Sequence, residues 1–412
     1  MTGVAITGLG LVGAYGLGTE GLAAALASGA ARGAEIDRSA GYHLPDSARS
    51  AILAGNLQLA PWVQPGEARR MSPPSKFAVA AARIALAQAG LTPGGGEPGE
   101  GEATAVVLAT AFGPASFTDQ LMRQIVREGP QAASPFYFSE CVANAPAAQI
   151  AIAAGARGAN VTVVEREAGV LLAVAKGAAE IASGRARRAL VGAAEEIPPL
   201  VHALLDRFRA LSRGAAGEEA GRPFDRRRDG FLAGEGAAVL VLEREEDAIA
   251  RGVRPLARIA GWVRAFDPSA PATDWGTGAA GLALALDRGL ARFGLDAGGF
   301  DRVVSGASGA LAGDRLESAV LRAAWRDRPL PPVLAPKGVT GEYGGGFLSA
   351  AVLAASGSPF GPTAGFSEPD LELGVIPHDG RPLAPPRRLL VTGLAAGGAA
   401  VWLALEAAGA AP

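Results

Sequence analysis

Short apolar runs that end in small residues alternate with longer helix-like segments along the whole 412-residue chain. The runs are VAITGLG (4–10), TAVVLAT (104–110), VTVV (161–164), ALVGAAEE (189–196), AAVLVLE (237–243), RVVSGAS (302–308) and LLVTGLAAGG (389–398). Between them, SKFAVAAARIALAQAGL (75–91) and GAAGLALALDRGLARFGL (278–295) carry a helical period. This alternation predicts an α/β protein whose strands are buried and largely parallel. Two internal echoes predict a duplicated architecture: ITGLGLVG (6–13) with VTGLAAGG (391–398), and the helix–loop–strand stretch 75–113 with 278–309. The halves are expected to span 1–250 and 251–412, meeting at the charged segment EREEDAIARGVRP.

At 49% hydrophobic and 19% charged, the chain has ample material for a core, so the stronger constraints come from what it lacks. A net charge of −2 gives no footprint for nucleic acid, which demands clustered Lys and Arg. One cysteine, Cys141, forms no disulfide framework, and three histidines without cysteine clusters match no zinc spacing, so neither metal nor cofactor is expected. The glycine-broken N-terminus does not read as a signal peptide, and no apolar run approaches the roughly 20 residues of a membrane span. A cytoplasmic protein without membrane partners is expected. Gly8, Gly10 and Gly13 match a bare G-x-G-x-x-G, but no acidic residue follows at dinucleotide spacing. Packing glycines at a strand are the better account. The Gly/Pro/Glu stretch 92–102 reads as a solvent loop.

Taken in order, VAITGLGLVGAYG, RRMSPPSKFAVAAARIALAQAGL (69–91), EGPQAASPFYF (128–138), GARGANVTVV (155–164), GRPFDRRRDGFLAGEGAAVLVLE (221–243), PKGVTGEYGGG (336–346) and LLVTGLAAGG resemble the β-ketoacyl synthases of the thiolase superfamily. The most specific piece is RPFDRRRDGF followed by GEGAAVLVLE. The resemblance implies a thiolase-like layered αβαβα fold built from two similar halves.

It also implies where catalytic residues belong, and here each is replaced. The family's cysteine precedes a helix-ending glycine by seventeen residues, which from Gly184 falls on Glu167, inside the junction EREAG. The first histidine position falls on Gly306 in SGASGALAGD, and the second on Glu342 in KGVTGE. Lys337 is retained, while the gating phenylalanine near the C-terminus becomes Ala396. Condensation needs a thiolate to accept the acyl chain and imidazoles to stabilise an enolate. A carboxylate acyl adduct would be a mixed anhydride, Gly306 offers no donor, and an ionised Glu342 would repel the enolate. Cys141, His43, His202 and His378 form no replacement constellation in the sequence. Glu165 and Glu167 also suit a helix N-terminus, where carboxylates accept orphan N–H groups, so Glu167 is expected to plug the pocket and cap the helix.

Loss of all three catalytic residues on an intact scaffold resembles the chain-length factor, or KSβ subunit, of type II polyketide synthases, which commonly carries glutamine where this chain has Glu167. That resemblance implies a silent subunit that pairs with a cysteine-containing ketosynthase, shapes its acyl tunnel and meets an acyl carrier protein bearing a polyketide intermediate. The tunnel-gating positions fall on Ala115, Thr118 and Met122, with Phe112 nearby, and small Ala115 implies a deeper tunnel; the same residues also suit a plain interface helix. Two other readings stay open: a diverged acyltransferase or hydrolase using Glu167 and Glu342 as an acid/base pair, and a self-pairing scaffold.

Overall fold

The computed structural model describes residues 3–94, 100–214 and 217–408. Part of the loop expected at 92–102 therefore lies outside the described residues. The elements that build the core are β1 (Val4–Gly13), α1 (Pro73–Gln88), β2 (Thr104–Thr110), α2 (Ala115–Glu128), α3 (Ala145–Ala154), β3 (Asn160–Val164), α4 (Gly169–Ala182), β4 (Arg188–Glu195), α5 (Pro199–Arg207) and β5 (Gly236–Arg244). They continue with β6 (Ala257–Phe266), α6 (Ala279–Ala291), β7 (Arg302–Val304), α7 (Leu311–Trp325), β8 (Val333–Leu334), α8 (Gly346–Ala355), β9 (Arg388–Leu394) and β10 (Ala399–Ala407).

Ten of these strands form one path, β8-β7-β9-β10-β6-β1-β5-β4-β2-β3, within an 11-stranded sheet. Read from each end toward the β6–β1 seam, the two halves have the same order and the same pairing senses. β2 pairs in parallel with β3 and β4, as β7 does with β8 and β9; β5 and β10 then run antiparallel to their neighbours. The seam itself is antiparallel, Val4 facing Ile259. The strands are therefore mixed rather than largely parallel: β9 and β10 return directly as a hairpin, and β4 and β5 lie side by side and antiparallel although α5 and a long loop separate them in sequence.

This topology sorts the two echoes. The stretch 75–113 with 278–309 joins true counterparts, α1–β2 with α6–β7. The echo of 6–13 with 391–398 joins β1 to β9, whereas the counterpart of β1 is β6; its glycines report close packing, not descent from one position.

α4 and α8 occupy the middle layer, in one apolar cluster with strands of both halves. A helix covered on both sides must be small-sided, which explains GVLLAVAKGAAEIA and GFLSAAVLAA. A Cβ on Gly177 would lie 2.3 Å from Val191 Cγ1. α1 packs outside β1: a Cβ on Gly8 or Gly10 would sit 2.1 Å or 1.8 Å from the carbonyl oxygens of Ala85 and Ala81, so these glycines serve helix–strand contact and not a phosphate. β3, expected to be buried, is instead the sheet edge, and Val164 is 62% exposed. Among the described residues no helix is long and apolar enough to cross a membrane.

Candidate active site

Strands β2, β3, β4, β7, β8 and β9 all deliver their C-terminal ends to one region, the usual place for a site in such sheets. The β3–α4 junction brings Glu165, Arg166 and Glu167. The loop after β7 brings Gly306. The segment between β8 and α8 brings Lys337, Glu342 and Tyr343, and the loop after β9 brings Ala396. Residues distant in sequence that were singled out as Glu167, Glu342, Lys337 and Ala396 are thus brought together.

Glu167 is 6% exposed. Its Oε1 accepts the Tyr343 hydroxyl at 3.2 Å and its Oε2 accepts the Ala396 N–H at 3.2 Å. Burial first, and the charge of Glu342 second, push its carboxyl up to about 7. The expected capping role is not realised: Ala168 is the N-cap of α4, with no side-chain cap. The junction turns so tightly that the carboxylate points across to the β9 loop, while Glu165 takes the Arg166 N–H at 3.0 Å. Arg166 does not bond Glu167; it donates to the carbonyls of Ala272 at 2.8 Å and Ala396 at 2.6 Å, fixing the same loop.

Glu342 is paired differently. Its Oε1 meets Lys337 Nζ at 2.5 Å, both side chains being almost wholly buried, and Lys337 also lies over the Phe347 ring at 4.9 Å. Tyr343, next in the chain, has φ 74°, a strained conformation for a side-chain-bearing residue. Edge contacts to Phe112 (centroids 5.3 Å apart) and Phe231 (6.0 Å) hold it there, and burial raises its hydroxyl well above the ordinary value.

Gly306 sits in a loop whose frame is complete. Its N–H donates to Glu317 Oε1 and Thr392 Oγ1, each at 3.1 Å, and Asp314 accepts from Phe224, Ser308 and Gly309 N–H groups. Burial pushes the Asp314 carboxyl up to about 7. A Cβ on Gly306 would lie 2.7 Å from the Thr392 carbonyl oxygen, so no side chain enters here without a backbone shift. Glu195, at the end of β4, accepts from Ala111 and Phe112 N–H groups and the Thr110 hydroxyl, and burial raises it to about 8. Tyr343 and Glu195 gave no motif in the sequence, although a pair of acids ending an apolar strand in ALVGAAEE was a signal.

A cavity of about 410 Å³ opens to the surface past Leu204, Phe208 and Leu311, with Phe112, Trp275 and Ala396 on its wall. Glu167, Arg166 and Tyr343 border both this cavity and a second one of about 30 Å³ that also touches Lys337 and Glu342. The space behind the Glu167 partition holds about one water. Of the tunnel candidates, Phe112 and Ala396 line the larger cavity, and Ala115, half-buried, packs against the apolar cluster of Leu205, Phe231 and Ala310. Thr118 and Met122 lie elsewhere, exposed on the outer side of α2, with Met122 50% exposed.

His202 and His378 are satisfied polar groups: His202 is fully buried and faces His43 at 3.0 Å, while His378 is buried against the Phe360 carbonyl. Cys141 ends a short helix, its thiol against the Phe138 carbonyl.

The family profile described as "Beta-ketoacyl synthase, N-terminal domain" matches residues 1–248. The chain belongs to the β-ketoacyl synthase family. It is 32% identical over 399 residues to the actinorhodin polyketide putative β-ketoacyl synthase 1 of Streptomyces coelicolor, covering 92% of this chain and 83% of that one. It is 31% identical to putative polyketide β-ketoacyl synthase 2 of Streptomyces halstedii, covering 84% and 82%. Among solved structures, the ishigamide ketosynthase/chain length factor is 28% identical with a TM-score of 0.87, covering 98% and 99%. A β-ketoacyl synthase from Burkholderia phymatum is 26% identical with a TM-score of 0.88, covering 99% of this chain and 100% of that one. The thiolase-like αβαβα architecture is thus common to this chain and its structural neighbours.

Proposed function

We propose that this chain is the silent, chain-length-determining partner of a type II polyketide ketosynthase. The observation that carries the reading is the Glu167 partition: where the family places its nucleophile, a carboxylate held by Tyr343 and Ala396 ends the cavity, and about 30 Å³ remains behind it. An acyl chain entering the larger cavity would meet no thiolate and could not extend into the small space beside Lys337 and Glu342. Gly306 and Glu342 supply no imidazole, and Glu342 is committed to Lys337.

Pairing is supported by the β3 edge. The strand has a free hydrogen-bonding side with Val164 exposed on it, Ile152 of the adjoining α3 is exposed as well, and Met122, Val126 and Phe138 are further exposed apolar residues of the same half. An uncovered apolar edge strand invites another strand, and a broad apolar face suits an obligate partner. The partner proposed is a cysteine-containing ketosynthase, with Thr118 and Met122 presented to its acyl tunnel and an acyl carrier protein delivering the chain. The test is to supply the purified chain with acyl carrier protein and a malonyl donor, alone and with such a ketosynthase. No acyl-protein adduct and no condensation are expected from the chain alone, while the pair should condense; robust turnover by the lone chain would overturn the proposal.

A second reading keeps one specific support: a carboxyl raised to about 7 stands near a second, lysine-bound carboxylate, the environment split that acid/base pairs use. If the chain is a diverged acyltransferase or hydrolase, the isolated protein cleaves acyl thioesters and Glu167→Ala abolishes that activity.

A further inference from the structure

A large cleft lies far from Glu167. It has a volume of about 1070 Å³ and is walled by the proline-rich loops 356–362 and 380–387, with Ala407 and Ala408 at its side. β9 relates the two places: its C-terminal end leads to Ala396 at the Glu167 site, and Arg387 precedes its N-terminal end at the cleft. A seven-residue strand separates them by roughly 20 Å.

Its charge is one-sided. Arg254, Arg302, Arg381 and Arg387 line it, and no Asp or Glu does. Arg381 is paired with Asp379 at 3.0 Å, but among the described residues Arg254, Arg302 and Arg387 form no ion pair. Arg302 is the informative one. It is only 5% exposed, and its guanidinium donates to the Ala384 carbonyl. Asp301 is engaged by the backbone N–H groups of Arg387 and Arg388, at 2.7 and 3.2 Å, and acts on Arg302 only through space. Burial accordingly pulls the Arg302 pKa down. A guanidinium cannot shed its proton under ordinary conditions, so a buried one with no carboxylate in direct contact carries a cost that an anion would offset.

We infer that this cleft is a binding site for a small molecule carrying a phosphate or carboxylate group on an apolar body. The oxyanion meets Arg302 at the floor and Arg254 and Arg387 at the rim, where guanidinium forks suit either group. Leu256, Phe360 and Leu383 supply apolar wall for the remainder. Proline-rich walls are stiff, so little ordering is lost on binding.

The test is calorimetric titration of the full chain with phenyl phosphate, decanoate and inorganic phosphate, repeated on Arg254→Ala/Arg387→Ala and on Arg302→Lys. Saturable binding of phenyl phosphate or decanoate is expected at or below about 1 mM, tighter than inorganic phosphate, and the stronger of the two organic probes identifies the headgroup. The rim double variant should weaken it by about tenfold or more with an unchanged melting temperature, and Arg302→Lys should weaken it while keeping the charge. Absence of saturation by both organic probes, or affinities indifferent to the rim variant, would overturn the assignment. So would binding that appears only after removal of residues 409–412, since the cleft would then belong to the chain's own terminus.

Discussion

Replacing Glu167 by Gln tests the account of the closed site most directly. The wild-type carboxyl is buried, receives the Ala396 N–H, and is raised from 4.5 to about 7, first by desolvation and then by Glu342. Below about pH 4.5 the group is protonated in folded and unfolded chains alike and contributes no pH dependence. As pH rises from there to about 7, the unfolded chain gives up the proton first, so the folded state binds more protons and stability falls. The loss is complete above about 7. At about 1.4 kcal/mol per pH unit, the interval amounts to about 3 kcal/mol. Glutamine is neutral throughout, its amide oxygen can accept the Ala396 N–H, and its amide nitrogen faces the Tyr343 hydroxyl. The variant should match the parent near pH 4 and exceed it by up to about 3 kcal/mol near pH 8. Urea midpoints of both proteins at the two pH values measure the difference of differences, which cancels every other titrating group. Parallel pH profiles for parent and variant would refute the reasoning, because they would mean that Glu167 ionises in the fold as freely as in water.

Breaking the other pair should behave in the opposite way. Glu342→Gln leaves the Lys337 ammonium buried without its carboxylate and is expected to cost about 3–5 kcal/mol by urea denaturation, with the double variant Lys337→Met/Glu342→Gln recovering part of that loss. At the edge strand, Val164→Lys should change the stability of the isolated chain by no more than about 0.5 kcal/mol and abolish co-elution with a ketosynthase in size-exclusion chromatography; retained co-elution would remove β3 from the interface. Gly10→Ala should cost about 1–3 kcal/mol because its Cβ meets the Ala81 carbonyl at 1.8 Å, whereas Gly13→Ala, whose nearest neighbour is 3.6 Å away, should be nearly neutral in the same thermal-melt comparison.

The strands whose apolar runs were uninterrupted were legible from sequence: β2 and β5 lie within a residue or two of where the pattern put them. β6 and β10 escaped it. ARIAGWVRAF alternates buried and partly exposed positions and carries two arginines, while AAVWLALEA is as alanine-rich as the helices around it, so neither has the signature of a continuous buried strand. RVVSGAS and LLVTGLAAGG overran their strands because glycine-rich ends read like strand continuation, yet they are the turns that carry Gly306 and Ala396 into the site. Counting along motifs located Glu167, Glu342 and Lys337, since spacing within a motif is fixed by the local fold. It could not locate their partners. Tyr343 and Glu195 reach the site through a left-handed residue and a strand end, neither of which has a spacing to count.

The hydrogen-bonded frame of the site explains how two buried glutamates coexist there. Like charges at close quarters in a poor dielectric cannot both persist unless something intervenes. Glu342 is answered by Lys337 at 2.5 Å, and Glu167 is answered by the proton it retains up to about pH 7. Below about pH 7 the partition is therefore a neutral acid beside a neutralised pair, and it can hold the β9 loop through Ala396 without repelling its neighbour. The β3–α4 junction is tied to the β9 loop by the Ala396 N–H on Glu167, the Gly306 loop to Glu317, and the end of β2 to Glu195.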